Sequence, residues 1–211
     1  MLLIHGYGCN SGYWHAMSKV LLNAGITHHA VDMEPVFGGI DEYVPMIHEA
    51  AARLCADTGQ DKIIILAHSM GGLAARAYLR VHGTARIAKV ITLGTPHHGT
   101  ALASFGIGLN TRQMHWSESE QESLSSEWLH TLAKEEDPSI YRLFVSIYSH
   151  HDNIIAPQTS SHLEGARNIE FHGIGHVALA SHPRIQAKVI DEIRHASDAQ
   201  LAFLEASNFS V

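Results

Sequence analysis

Ile63-Ile64-Ile65-Leu66-Ala67-His68-Ser69-Met70-Gly71-Gly72 is the stretch whose reading decides the fold of this chain. A continuous apolar run with no alternation reads as a strand buried on both faces. It breaks at a serine flanked by small residues. Behind it, Leu73-Ala74-Ala75-Arg76-Ala77-Tyr78-Leu79-Arg80 combines good helix formers with an apolar stripe. A strand, a sharp turn with serine at its tip and a helix strain the serine backbone and push its hydroxyl clear of the sheet. Strand and helix pass close at such a turn, so the residues two before and two after the serine must be small. Ala67 and Gly71 meet that demand. Taken alone, the segment also reads as a βα unit whose serine caps the helix.

The rest of the chain supplies the context. Its 211 residues suit a single domain, 1–211, with a sizeable core. A hydrophobic content of 45% and a charged content of 17% are those of a globular chain somewhat low in charge. No apolar run approaches the roughly 18 residues that span a bilayer, and no basic segment precedes an apolar one. The expectation is a cytoplasmic protein, or a secreted one if a signal lies upstream of Met1. The net charge of −7 argues against a nucleic-acid partner. Protonating all 18 histidines would bring it to +11, so surface charge should depend strongly on pH. Cys9 and Cys55 form no CxxC pair and carry no redox or zinc signature.

Taken in order, the chain alternates strands and helices. Met1 to Ile4 is apolar and runs straight into His5-Gly6-Tyr7-Gly8. Tyr13 to Leu22 has helical spacing and is closed by Asn23-Ala24-Gly25. Thr27 to Met33 reads as a strand, Asp41 to Ala56 as a helix and Ala88 to Gly94 as a strand ending in Gly94-Thr95-Pro96-His97-His98-Gly99-Thr100. This β-α-β-α-β-α-β rhythm with short loops implies a compact, mainly parallel sheet with helices on both faces. Residues 101–139 interrupt it. They mix Phe105, Ile107, Leu109, Met114, Trp116, Leu124, Trp128 and Leu129 with an acidic, serine-rich patch from Ser117 to Ser123. Such an insertion is read either as a mobile lid or as a connecting helix with Trp128 and Leu129 packed on the core. Leu143 to Ser149 and Asn168 to Phe171 read as the last strands. A helix follows from Ala178 or Pro183 to Arg194, with a further helix in the tail from Ser197 to Val211.

With that rhythm in place, the serine segment resembles the nucleophile elbow of the α/β-hydrolases. The resemblance implies that the backbone N–H groups of Tyr7, after His-Gly, and of Met70, after the serine, form an oxyanion hole. It also implies the chain order nucleophile, acid, histidine, each on a loop after a strand. A serine hydroxyl needs a base in reach and the base needs an orienting carboxylate. Downstream of Ser69, Asp152 is the acid that directly follows an apolar strand, whereas Asp137, Asp191 and Asp198 lie elsewhere. Among His162, His172, His176, His182 and His195, His176 follows a strand and a Gly-Ile-Gly loop, with His172 its nearest rival. His5, His68 and His97 are expected to line the substrate site. No metal or other cofactor is expected. Adjacent histidines such as His28-His29, His97-His98 and His150-His151 point to opposite faces of a strand, and no HExxH or cysteine partner is present.

Ala-His-Ser-Met-Gly-Gly, His-Gly-Tyr-Gly, Gly-Thr-Pro-His-His-Gly-Thr and the terminal Asp and His loops together look like the bacterial true lipases. The last third, through Leu163-Glu164-Gly165-Ala166-Arg167-Asn168 and Gly173-Ile174-Gly175-His176, is similar to the small Bacillus lipases, which also carry Ala at the first elbow position. The opening and the Thr-Pro-His-His-Gly segment look more like the Pseudomonas and Burkholderia lipases. The resemblance implies hydrolysis of carboxylic esters of lipids, with a small-molecule ester or lipid as substrate and a lipid–water interface as a partner. Acyl transfer or thioester hydrolysis on the same triad, or lipid binding without catalysis, are the rival readings. The small Bacillus lipases lack a lid, unlike residues 101–139 here. The acid that would hold calcium in the Pseudomonas type is missing between His176 and Arg184, so calcium is not carried over. Oligomeric state is left open.

Overall fold

The structure is a computed structural model and describes residues 1–118 and 123–208; at 117–118, 123–124 and 197–208 it describes backbone alone. Its strands are β1 (Leu2–Ile4), β2 (His29–Val31), β3 (Ile63–His68), β4 (Ile87–Leu93), β5 (Trp116–Glu118), β6 (Ser123–Ser125), β7 (Phe144–Ser149) and β8 (Arg167–Phe171). Six of them form one sheet in the order β2-β1-β3-β4-β7-β8, and β5 and β6 form a separate hairpin. Every pairing in the large sheet is parallel. This is the mainly parallel sheet flanked by helices expected from the β-α rhythm.

The period of two along each strand divides the core. Leu2, Ile4, Ile63, Ile65, Ala67, Val90 and Phe144 face helices α2 (Val44–Thr58) and α3 (Met70–His82). Leu3, Leu66, Ile91, Leu93, Val145 and Ile147 face α1 (His15–Asn23) and the long C-terminal helix. Strands covered on both faces need apolar residues at every position, which is why Ile63 to Ala67 shows no alternation.

Several boundaries differ from expectation. The second strand shrinks to three residues, and the helix expected from Asp41 begins with a 3-10 turn at Ile40–Tyr43. In residues 101–139 a 3-10 turn (Ala101–Phe105), α4 (Leu109–Gln113), the hairpin and α5 (Glu127–Glu135) follow one another. Of the serine-rich patch, residues 119–122 lie outside the described residues. The Leu129 and Leu132 side chains of α5 are buried, and Trp128 Nε1 donates to Asp41 Oδ2 at 2.7 Å. The tail does not form a second helix: α6 runs unbroken from Pro183 to Asn208, since no glycine or proline interrupts 184–208. Residues 209–211 of the expected tail helix lie outside the described residues.

Candidate active site

The carboxyl ends of β1, β3, β7 and β8 carry the loops of interest, at the edge where parallel sheets bind ligands. Ser69 joins β3 to α3 at φ 54° and ψ −127°, and among the described residues it is the only non-glycine with positive φ. Such a backbone state costs an L-residue on the order of 1–3 kcal/mol and persists only where its surroundings enforce it. Here the Ser69 N–H donates to Leu93 O (2.9 Å) and its C=O accepts from Thr95 Oγ1 (2.9 Å). The crowding behind the turn is severe. A Cβ on Gly71 would stand 2.4 Å from the carbonyl oxygen of His5, and one on Gly72 would stand 2.1 Å from Thr95 Oγ1. A Cβ on Gly6 would meet Ser69 Cβ at 2.8 Å, so the β1 loop lies directly against the serine. That loop presents Tyr7. Met70, the first residue of α3, has an N–H without an intrahelical partner.

Asp152 and His176 meet after β7 and β8. His176 Nδ1 lies 2.7 Å from Asp152 Oδ2, with both residues buried. The other carboxylate oxygen, Oδ1, accepts from the Ile154 and Ile155 N–H groups at 2.8 Å each, so the carboxylate is held in one orientation. An acceptor at Nδ1 makes that nitrogen the protonated one and leaves Nε2 free to take a proton. Gly94 lets the pair approach β4: a Cβ there would come within 3.1 Å of Asp152 Oδ2 and 3.2 Å of His176 Nδ1. His172, the rival, is elsewhere. It stacks on His150 at 4.8 Å, and His150 in turn contacts Glu170.

Beside Ser69 lies an apolar cavity of about 80 Å³, with Tyr7, Leu102, Ala103, Met114, Ile154 and Ile155 in its wall. Residues 101–114 form one side of it. Two hydrogen bonds join them to the β1 loop: the Tyr7 hydroxyl donates to Ile107 O (2.9 Å) and accepts from Ile107 N (3.0 Å). Phe105 and Ile107 of this segment, and Phe37, whose ring lies 5.9 Å from that of Tyr7, expose their side chains.

The three histidines expected to line the substrate site do not reach this cavity. His5 is buried and its Nε2 accepts from Met33 N at 3.1 Å, fixing the loop after β1. His97 is buried against Thr92 Oγ1 and the ring of Phe144. Burial, followed by the Arg76 charge, holds its imidazole well below the usual histidine range. His68 projects to the α1 side of the sheet and packs between Tyr13 and His176. It is not part of the cavity wall. Among the described residues, no group of three or more His, Cys, Asp or Glu is arranged to hold a metal ion.

A family model of the alpha/beta hydrolase fold matches residues 1–109. This chain belongs to the alpha/beta hydrolase fold family. Over 95 residues it is 30% identical to a pimeloyl-[acyl-carrier protein] methyl ester esterase of Citrobacter koseri, covering 45% of this chain and 36% of that protein. Over 53 residues it is 40% identical to a triacylglycerol lipase of Burkholderia plantarii, covering 25% and 14%. The matches thus span about a third or less of those relatives' lengths. Among solved structures, the mature Bacillus licheniformis lipase BlEst2 superposes with a TM-score of 0.76 at 15% identity, over 91% of this chain and 90% of that one. Aspergillus fumigatus lipase B gives 0.72 at 18% identity, over 90% and 51%. These likenesses speak for the fold.

In this α/β-hydrolase, several residues that shape the site escape a spacing argument. Gly72 and Thr95 interlock across 23 positions, and Asn153 Oδ1 accepts from the His176 N–H at 3.2 Å. The Gly94-Thr95 step that ends β4 is the sequence signal for the first contact.

Proposed function

We propose that this α/β-hydrolase is a serine carboxylic-ester hydrolase of lipase or esterase type, working through an acyl-enzyme. The observation that carries the reading is the buried, oriented Asp152–His176 pair at the sheet edge where the strained Ser69 turns. His176 Nε2 takes the Ser69 proton, and the alkoxide attacks the ester carbonyl. The N–H groups of Tyr7 and Met70 stabilise the oxyanion, each contributing about 3 kcal/mol in comparable sites. The imidazolium, balanced by Asp152, then protonates the leaving alcohol, and water releases the acid by the same route. The hydrogen bonds already formed are those of the His–Asp leg; the serine leg is the step the reaction adds.

The apolar cavity beside Ser69 supports an acyl chain as its occupant, and the lipase and esterase names of the relatives support an ester as the substrate class. Residues 101–114 would act as a cover over that cavity, and the exposed Phe105 and Ile107 suit contact with a lipid surface. The test is hydrolysis of p-nitrophenyl esters from acetyl to palmitoyl by the protein and by Ser69→Ala, with fluorophosphonate labelling of Ser69. Loss of three or more orders of magnitude in the variant is expected. Equal inactivity of both proteins on every ester, without labelling, would leave a binding protein.

A further inference from the structure

The base of the proposed triad sits on a loop that begins Gly173-Ile174-Gly175, and Gly173 takes φ +75°. Such a loop does not fix an imidazole by itself. The His176 main chain is nevertheless held at both ends of its residue. Its N–H donates to Asn153 Oδ1 at 3.2 Å, and its C=O lies 3.2 Å from His68 Nε2. One residue further on, the Val177 carbonyl accepts from the Tyr13 hydroxyl at 3.3 Å. Asn153 directly follows Asp152, and His68 directly precedes Ser69.

We infer that His68 and Asn153 are positioning residues that clamp the backbone of His176, each reaching it from the chain position adjoining one of its two partners. This rests on the proposed triad and adds to it a way of keeping base, acid and nucleophile in register.

The chemistry of His68 fits the role. A carbonyl oxygen only accepts, so the proton of His68 is on Nε2 and Nδ1 carries a lone pair. That Nδ1 is buried without a partner and lies against Gly6, where a Cβ would come within 3.1 Å. An imidazolium would need a second acceptor at Nδ1, and none is there. Burial, followed by the neighbouring His176, pushes its pKa well below the ordinary histidine value. His68 therefore stays a neutral donor while His176 gains and loses its proton, and it adds no charge beside the imidazolium. Its ring is held in place by stacking on Tyr13 (centroids 4.3 Å apart, planes at 25°), and the His176 ring lies 4.6 Å away. A purely packing role would need the ring and not the N–H.

The experiment separates these. His68→Phe keeps an aromatic ring and removes the donor; His68→Gln restores an N–H the same number of bonds from Cα. Asn153→Ala removes the other point at an exposed position where folding is little affected. With p-nitrophenyl butyrate, His68→Phe and Asn153→Ala should each lose about tenfold in kcat with KM within twofold, since small misplacement of a base is costly. His68→Gln should recover most of that loss. Independently of turnover, the low-field NMR resonance of the His176 Nδ1 proton should broaden in His68→Phe and sharpen again in His68→Gln. An unchanged resonance and kcat in both His68→Phe and Asn153→Ala overturns the clamp, as does a glutamine variant no better than phenylalanine. A wild-type protein without Ser69-dependent hydrolysis overturns the proposed function instead, and the resonance then still decides whether the clamp exists.

Discussion

Ser69 occupies a backbone conformation that glycine adopts freely and a side chain does not. Replacing it therefore has two separable effects. Ser69→Gly should be more stable to urea than Ser69→Ala by about 1–2 kcal/mol, although both lack the hydroxyl. Equal stabilities would mean the turn is unstrained. Gly72→Ala should go the other way. Its methyl would overlap Thr95, which itself anchors the Ser69 carbonyl, and a loss of roughly 2–3 kcal/mol is expected in the same assay. The spacing rule singled out Ala67 and Gly71 because strand and helix are adjacent in sequence there. It was silent on Gly72, whose neighbour is brought in by tertiary folding. The same limit applies to His5, His68 and His97: each stands at or just after the carboxyl end of a strand, which suggested the substrate site, but whether an imidazole faces a cavity or a core depends on how the chain turns there.

At the scale of elements, α3 is tied to the end of the insertion by a buried ion pair. Arg76, inside the apolar stripe of α3, donates to both oxygens of Glu136, and its Nη1 donates to the His97 carbonyl at 2.9 Å. Tyr141 completes the carboxylate with a hydrogen bond of 2.7 Å. Glu136→Ala would leave the guanidinium uncompensated, and a loss of about 3–5 kcal/mol is expected by urea unfolding. A loss below about 1 kcal/mol would mean that water reaches Arg76. The two Tyr7–Ile107 hydrogen bonds join the insertion to the β1 loop over a cavity of about 80 Å³. Tyr7→Phe should raise the ratio of palmitate to butyrate ester hydrolysis; an unaltered ratio would free residues 101–114 from any role in chain-length selection. The central strands were legible because burial on both faces leaves unbroken apolar runs, and the main helices because their one buried face repeats at helical spacing. The insertion was not: its order of short elements is set by docking onto α3 and the loops after β1 and β2, a constraint absent from local pattern.

For the whole molecule, the histidine content has a consequence beyond surface charge. His68 and His97 are buried neutral, and desolvation is the leading cause of their lowered pKa values. Their folded pKa lies below the unfolded value, so the unfolded chain binds protons first as pH falls. Stability is thus complete above about pH 6.5 and declines below it, by roughly 1.4 kcal/mol per pH unit for each of the two. Urea midpoints measured from pH 7.5 to 5 should show that decline, and a flat profile would mean that these rings accept protons in place.

The sheet also sets a timetable. β1 lies between β2 and β3, and Leu2 pairs with His29 on one side and with Ile65 on the other. At typical synthesis rates the 63 residues from Leu2 to Ile65 take roughly 3–13 s to make. Until His29 is made neither edge of the apolar Leu2–Ile4 segment has its partner, and until Ile65 is made one edge still lacks it, so early protection of that segment in the cell would govern how much of the chain reaches the folded state.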